Sequence, residues 1–176
     1  MDNKKRLELD GPIIWHETSP LFVKLAKKME KGEDAYLEII RSSGGHIDLI
    51  ETFCDFYVKR FSSHFHTRLR KFAASSAAIL FLLGEKRVMH RDSRLIFHGI
   101  TLSAAGFIGR KLEEKEGDVE ISVRHHLFCE EIIKKRSNLP DDEVEFFMRD
   151  QKGRGCRVFN AEEALKAGLA TEVAIF

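Results

Sequence analysis

The sequence predicts an α/β domain with a largely parallel sheet, on the strength of three segments that share one order. A β-prone run from Tyr36 to Ile40 leads through Arg41-Ser42-Ser43-Gly44-Gly45 into an amphipathic helix carrying Ile47, Ile50, Phe53, Cys54 and Val58. The order repeats where Phe65-His66-Thr67-Arg68-Leu69, alternating apolar and polar, runs through Lys71-Phe72 into an Ala/Ser-rich apolar helix that stops at Gly84. Arg94-Leu95-Ile96-Phe97-His98 is a third strand, closed by Gly99. Strands that alternate with helices belong to α/β folds, because parallel strands need a crossover, usually helical, between them.

The remaining elements follow in chain order. Arg6 to Gly11 alternates like a strand and ends on a Gly-Pro turn. Leu21 to Met29 has helical spacing at positions 22, 25, 26 and 29, with Thr18 or Ser19 as its cap and Pro20 in its first turn. Val88-Met89 begins a short strand. From about Phe107 to Lys135 runs a long charged helix whose apolar residues, Val119, Val123, Leu127 and Ile132, cover only part of its surface, so it should project or pack on a partner. A short helix after Asn138-Leu139-Pro140 carries Val144, Phe147 and Met148, and Gln151 to Gly155 is a Gly-rich turn. Arg157-Val158-Phe159 reads as a strand, Asn160 caps a helix from Ala161 to Lys166, Gly168 ends it, and Ala170 to Phe176 is extended. No repeat or low-complexity linker divides the 176 residues, which form one domain.

Composition narrows the function classes. With 43% hydrophobic and 32% charged residues and a net charge of +1, the chain has neither the basic field that nucleic acid attracts nor an acidic tail. Cys54, Cys129 and Cys156 are odd in number and in no metal-ligand spacing, so a disulfide framework, a zinc site and a cofactor find no support, and a reducing cytoplasm is expected. No run approaches the roughly 20 apolar residues that span a bilayer, and the N-terminus, broken by Asp10, Gly11 and Pro12, makes a poor signal peptide.

Chemistry gathers at three turns, each at the C-terminal end of a strand, where open parallel sheets carry their sites. They are Ser42-Ser43-Gly44-Gly45, Ala74-Ser75-Ser76-Ala77 and His98-Gly99. A serine at a sharp strand-to-helix turn is exposed beside backbone N–H groups, and a histidine in reach can take its proton. A glycine pair lets amides approach a substrate carbonyl. Each turn also has an ordinary reading: Gly-Gly as a plain turn, two serines among alanines as helix packing, and His98, one of eight histidines, as a strand end.

Order and wording together change that balance. Arg41-Ser42-Ser43-Gly44-Gly45, then Phe72-Ala73-Ala74-Ser75-Ser76-Ala77 opening an apolar helix, then Arg94-Leu95-Ile96-Phe97-His98, then Asn160-Ala161-Glu162-Glu163-Ala164 through Gly168-Leu169 resemble the motifs of the Clp protease proteolytic subunit (ClpP) family, from about Tyr36 to the C-terminus. The resemblance implies a ClpP/crotonase-like fold of repeated β-α units with the helix at about 107–135 as a protruding handle. It implies a serine endopeptidase in which Ser75 is the nucleophile, His98 the general base, and the N–H groups of Gly45 and Ser76 the oxyanion hole. The hydroxyl of Ser76 then merely replaces a larger apolar side chain. Polypeptide substrates, a homo-oligomeric heptameric ring stacked as a tetradecamer, and an AAA+ unfoldase partner are implied with it; nucleic acid and membrane are not.

The chain departs from that pattern in several places. Cys156 stands where the family has its catalytic aspartate, leaving Asp150, upstream of Gly153 and Gly155, as the carboxylate that could reach His98. Lys71 replaces a glycine beside the nucleophile, Ser43 replaces a proline, and the N-terminal segment is short where the family's unfoldase-docking loops lie. Two other functions therefore stay open: a catalytically weak structural subunit that assembles with an active paralogue, and a crotonase-type acyl-CoA enzyme. The group beside Nδ1 of His98 separates an ordinary peptidase, with a carboxylate there, from a handicapped one.

Overall fold

The computed structural model describes residues 6–99, 112–149 and 156–176. Seven strands form one sheet in the order β1 (Leu7–Asp10), β2 (Ala35–Ser42), β3 (Phe65–Ala74), β4 (Lys86–His90), β7 (Glu172–Ala174), all parallel. The remaining two strands leave this path. β5 (Arg94–Phe97) pairs in parallel with the upper part of β3, and β6 (Arg157–Asn160) runs antiparallel to β5. β3 thus has β4 beside His66 to Leu69 and β5 beside Phe72 to Ala74. This change of neighbour brings the C-terminal ends of β2, β3 and β5 to one place.

β3 shows why the strands form. Phe65, Thr67, Leu69 and Ala73 are buried on one face, while Arg70 turns outward, the period-two pattern of a pleated strand. On the opposite face the buried Glu38 of β2 accepts ion pairs from Arg6, Arg68 and Arg70 at 4.0, 3.6 and 3.1 Å.

The helices cover the apolar face. α1 (Trp15–Glu30) packs on β2 through Phe22, Leu25, Ala26 and Met29. It starts before the predicted Leu21, so Pro20 lies inside it rather than in its first turn. The start is stabilised differently from the expectation: Thr18 Oγ1 accepts from the Ile14 N–H at 3.0 Å, and Ser19 Oγ donates to the Trp15 carbonyl.

The predicted second helix is α2 (Ile47–Phe53), continued by a π-helical turn over Cys54–Val58 and a last turn, α3 (Lys59–Phe61). α4 (Ser76–Leu82) is buried at every position and packs against β3 and the long helix α5 (Leu112–Arg136). The strand before it extends to Ala74, so Ala73 and Ala74 belong to β3 and not to the helix. α5 (Leu112–Arg136) matches the long charged helix, whose expected start near 107 lies outside the described residues.

α6 (Asp141–Arg149) packs on α5, and α7 (Ala161–Lys166) opens with the expected Asn160 cap, its side chain exchanging bonds with Glu163 in a capping box. Gly168, at φ 74°, follows its last turn. The Gln151 to Gly155 turn lies outside the described residues. Among the described residues no helix is long and apolar enough to cross a membrane.

Candidate functional site

The turn after β2 is held open by backbone contacts that only glycine permits. Gly44, at φ 86°, accepts from Ile13 N through its carbonyl at 2.9 Å, and Gly45, at φ 148°, bridges to Ile13. A Cβ on Gly44 would stand 2.7 Å from Ala74 O, 2.8 Å from Ser75 Cβ and 2.9 Å from Ser76 N; one on Gly45 would stand 2.2 Å from Ile13 O. The buried Ser42 Oγ accepts from Gly44 N at 3.2 Å. The glycine pair thus lies directly against the turn at Ser75.

Ser75 alone forms that turn, between the last residue of β3 and the first of α4. Its φ of 56° and ψ of −132° make it the one non-glycine residue with positive φ among the described residues. Such a conformation costs on the order of 1–3 kcal/mol and persists only where surrounding structure imposes it. Here the Ser75 N–H donates to Ile96 O at 2.9 Å, tying the turn to β5 two residues before His98. Residues in this kind of strand-to-helix elbow present their side chain away from both elements, the geometry nucleophilic serines use.

His98 follows β5. Its Nδ1 lies 2.7 Å from the carbonyl oxygen of Gly99. A carbonyl can only accept, so Nδ1 carries the hydrogen and, in the neutral ring, Nε2 carries the lone pair. That is the tautomer a general base needs. Gly99 is itself buried against α6, where a Cβ would meet Met148 O at 2.0 Å.

Ser75, Ser76, Gly45 and His98 line one cleft of about 190 Å³, whose other walls are Ile47, Ile79, Phe97, Cys129 and Met148. The four sequence-predicted residues thus meet in one small, mostly apolar space. Burial, with a smaller effect from Glu51, pushes the Cys129 thiol up to about 12, so it stands in the wall as a neutral group and not as a nucleophile.

The hydroxyl of Ser76 does more than the sequence suggests. Its Oγ accepts from the Gly45 N–H at 2.7 Å and donates to the Gly45 carbonyl at 3.1 Å, in a side chain buried to 4% exposure. The expected oxyanion donor is occupied by a neighbouring side chain.

The fifth candidate, Asp150, lies outside the described residues. Cys156 is exposed. β5 and β6 end their ladder at the pair Phe97 and Arg157, so His98 and Cys156 are the next residues beyond it on adjacent strands. Lys71 is exposed and is not among the residues that line the cleft.

Sequence reasoning missed the Gly99 carbonyl, which no residue type announces, and the cleft walls Cys129 and Met148. The latter were readable only as apolar positions of helices. Among the described residues no group of His, Cys, Asp and Glu is arranged to hold a metal ion.

A larger cavity of about 540 Å³ opens at the other end of β3, lined among others by Tyr36, His66, Arg68 and Lys86. Lys86 pairs there with Glu172 at 2.8 Å and Asp34 with His64 at 3.1 Å, while His66 Nδ1 and Arg68 Nε are buried without a hydrogen-bond partner. It contains no elbow or activated nucleophile, and the chemistry is better sought at Ser75.

No protein-family model matches the chain, and no curated protein matches it in sequence.

Proposed function

We propose that the chain is a serine hydrolase acting on peptide bonds through an acyl-enzyme on Ser75, with His98 as general base. The observation that carries this reading is the strained elbow at Ser75, the only non-glycine positive φ among the described residues, opening on a cleft shared with His98 and Gly45. A strain of this kind at a buried packing serine would serve nothing, whereas at a nucleophile it sets the hydroxyl free of the helix. Ser75 Oγ attacks the substrate carbonyl while Nε2 of His98 takes its proton and returns it to the leaving amine. The N–H groups of Ser76 and Gly45 receive the oxyanion. Ser76 is the first residue of its helix and has no intrahelical partner for its N–H.

The resemblance to the ClpP family extends the reading to a ring assembly of this chain. What supports it is α5, on which Val119, Ile121, Val123 and Leu127 are exposed while Cys129 and Ile133 are buried. Four exposed apolar side chains on one helix suit contact with a second copy.

The second reading, a catalytically weak subunit, is favoured by a specific observation. Nδ1 of His98 meets a carbonyl, which orients the ring but offers only a partial charge to an imidazolium.

Both readings are tested by incubating the protein with a fluorophosphonate probe and mapping the label. Labelling of Ser75 that vanishes in Ser75→Ala and falls in His98→Ala supports the hydrolase. Absence of label in a folded protein across pH 6–9 overturns it. Sedimentation of the same samples reports whether an assembly forms.

A further inference from the structure

The two polar groups of Gly45 are bridged by one hydroxyl: its N–H donates to Ser76 Oγ at 2.7 Å, and that Oγ donates to its carbonyl at 3.1 Å. Gly45 and Ser76 both line the cleft that holds Ser75 and His98. The Gly45 N–H is therefore satisfied from within before any substrate arrives.

We infer that the Ser76 side chain is a built-in occupant of the oxyanion site, and that a substrate oxygen must displace it before Gly45 can stabilise the transition state. This inference rests on the Ser75 acyl-transfer reading.

First, the occupant is tethered. Ser76 Oγ is held beside the donor by a buried side chain at 4% exposure, so it competes at a higher effective concentration than a water molecule would. Second, the competition is asymmetric. A neutral substrate carbonyl is an acceptor of about the same strength as a hydroxyl, whereas an oxyanion forms a charge-assisted bond roughly twice as strong. The ground state is held off and the tetrahedral intermediate wins. Third, the displacement is a side-chain event: rotation about χ1 of Ser76 to another staggered rotamer withdraws Oγ from Gly45. No covalent step is involved: one hydrogen bond is exchanged for another.

Ser76 is thus a positioning residue that lowers the basal rate. A neutral hydrogen bond of ordinary net strength corresponds to about 3- to 10-fold in rate.

The test uses the full chain. Ser76→Ala should label at Ser75 with a fluorophosphonate about 3- to 10-fold faster than the parent, with the amide of Gly45 exchanging its hydrogen faster. Ser76→Cys, of similar size with a weakly accepting sulfur, should lie between the two, and it replaces the alanine variant should that one not fold.

A second measurement is independent of turnover. On a Ser75→Ala background, calorimetric titration with N-acetyl-trileucine, whose terminal carboxylate supplies an anionic oxygen, should show tighter binding when Ser76→Ala is added, again by about 3- to 10-fold. Equal labelling rates in parent and variant overturn the inference, as does peptide affinity that is equal or absent in both backgrounds. Should Ser75 label in neither protein, the hydrolase reading falls, and the peptide titration with Gly45 exchange still decides whether the hydroxyl fills an anion site.

Discussion

Replacing Ser75 by glycine should stabilise the protein relative to alanine at the same position, which reverses the usual order of these two residues. The backbone there is held at φ 56° and ψ −132°, a region open to glycine and closed to side chains. Alanine and serine carry the same Cβ and so the same strain, on the order of 1–3 kcal/mol. Glycine removes it but loses about 0.5–1 kcal/mol to the greater freedom of its unfolded chain. The difference leaves glycine ahead by roughly 0–2.5 kcal/mol, about 1 kcal/mol at mid-range. For a chain of this size 1 kcal/mol moves the melting temperature by about 2–4 °C, so calorimetric scans should separate the two variants by a few degrees. Neither carries the hydroxyl, so any difference reports the backbone alone. An alanine variant that melts at or above the glycine variant would refute the claim that strain is stored at this turn.

Gly44→Ala should lose both stability and Ser75 labelling, because its Cβ would meet Ala74 O, Ser75 Cβ and Ser76 N at 2.7–2.9 Å in a left-handed conformation; chemical denaturation should show a loss of about 2 kcal/mol or more. Arg87→Met should destabilise by about 3–5 kcal/mol, read by denaturant titration. The guanidinium is buried and bonds the carbonyls of Leu169, Gly168 and Gly84 at 2.8, 2.9 and 3.0 Å, fixing the C-terminal turn to β4. Cys156→Asp supplies a carboxylate one step beyond the last β5–β6 pair; Ser75 labelling should accelerate, and an unchanged rate would mean that position 156 does not communicate with His98.

Much of the scaffold was legible because its elements declare themselves by period. β2 is a β-prone run, β3 alternates, and the helix after Ser76 is apolar throughout as only a buried helix is. The start of α1 was not legible. Pro20 signals a first turn, but the lost hydrogen bond falls on the carbonyl of His16, an exposed residue that water can reach, so the helix continues through it. The π-helical turn at Cys54–Val58 left no trace in the pattern of apolar residues.

At the site, residue types pointed to Ser75, His98 and the glycine pair, since a hydroxyl, an imidazole and a missing Cβ are each visible in the sequence. The partners that tune them were hidden for a common reason. The Gly99 carbonyl belongs to the backbone, and the bonds of Ser76 depend on a single side-chain rotation, so neither has a signature in residue identity.

The environment of His98 separates two tasks that a carboxylate usually performs together. One is orientation: an acceptor on Nδ1 fixes the tautomer and leaves the Nε2 lone pair free to accept a proton. The Gly99 carbonyl, at 2.7 Å, does this. The other is charge compensation once the ring is protonated, and a carbonyl dipole supplies only a fraction of it. In serine proteases a neutral amide in place of the aspartate costs about 10⁴ in rate chiefly because it selects the wrong tautomer. A carbonyl selects the right one, so the expected penalty here is the smaller, electrostatic part. A similar restraint acts at the glycine turn, where the Gly45 N–H is already engaged by Ser76. On the proposed hydrolase reading, base and oxyanion donor would each be oriented and each held below full strength. A site assembled in this way would turn over slowly at rest, and both brakes lie in single contacts that a change at position 156 or 76 can release.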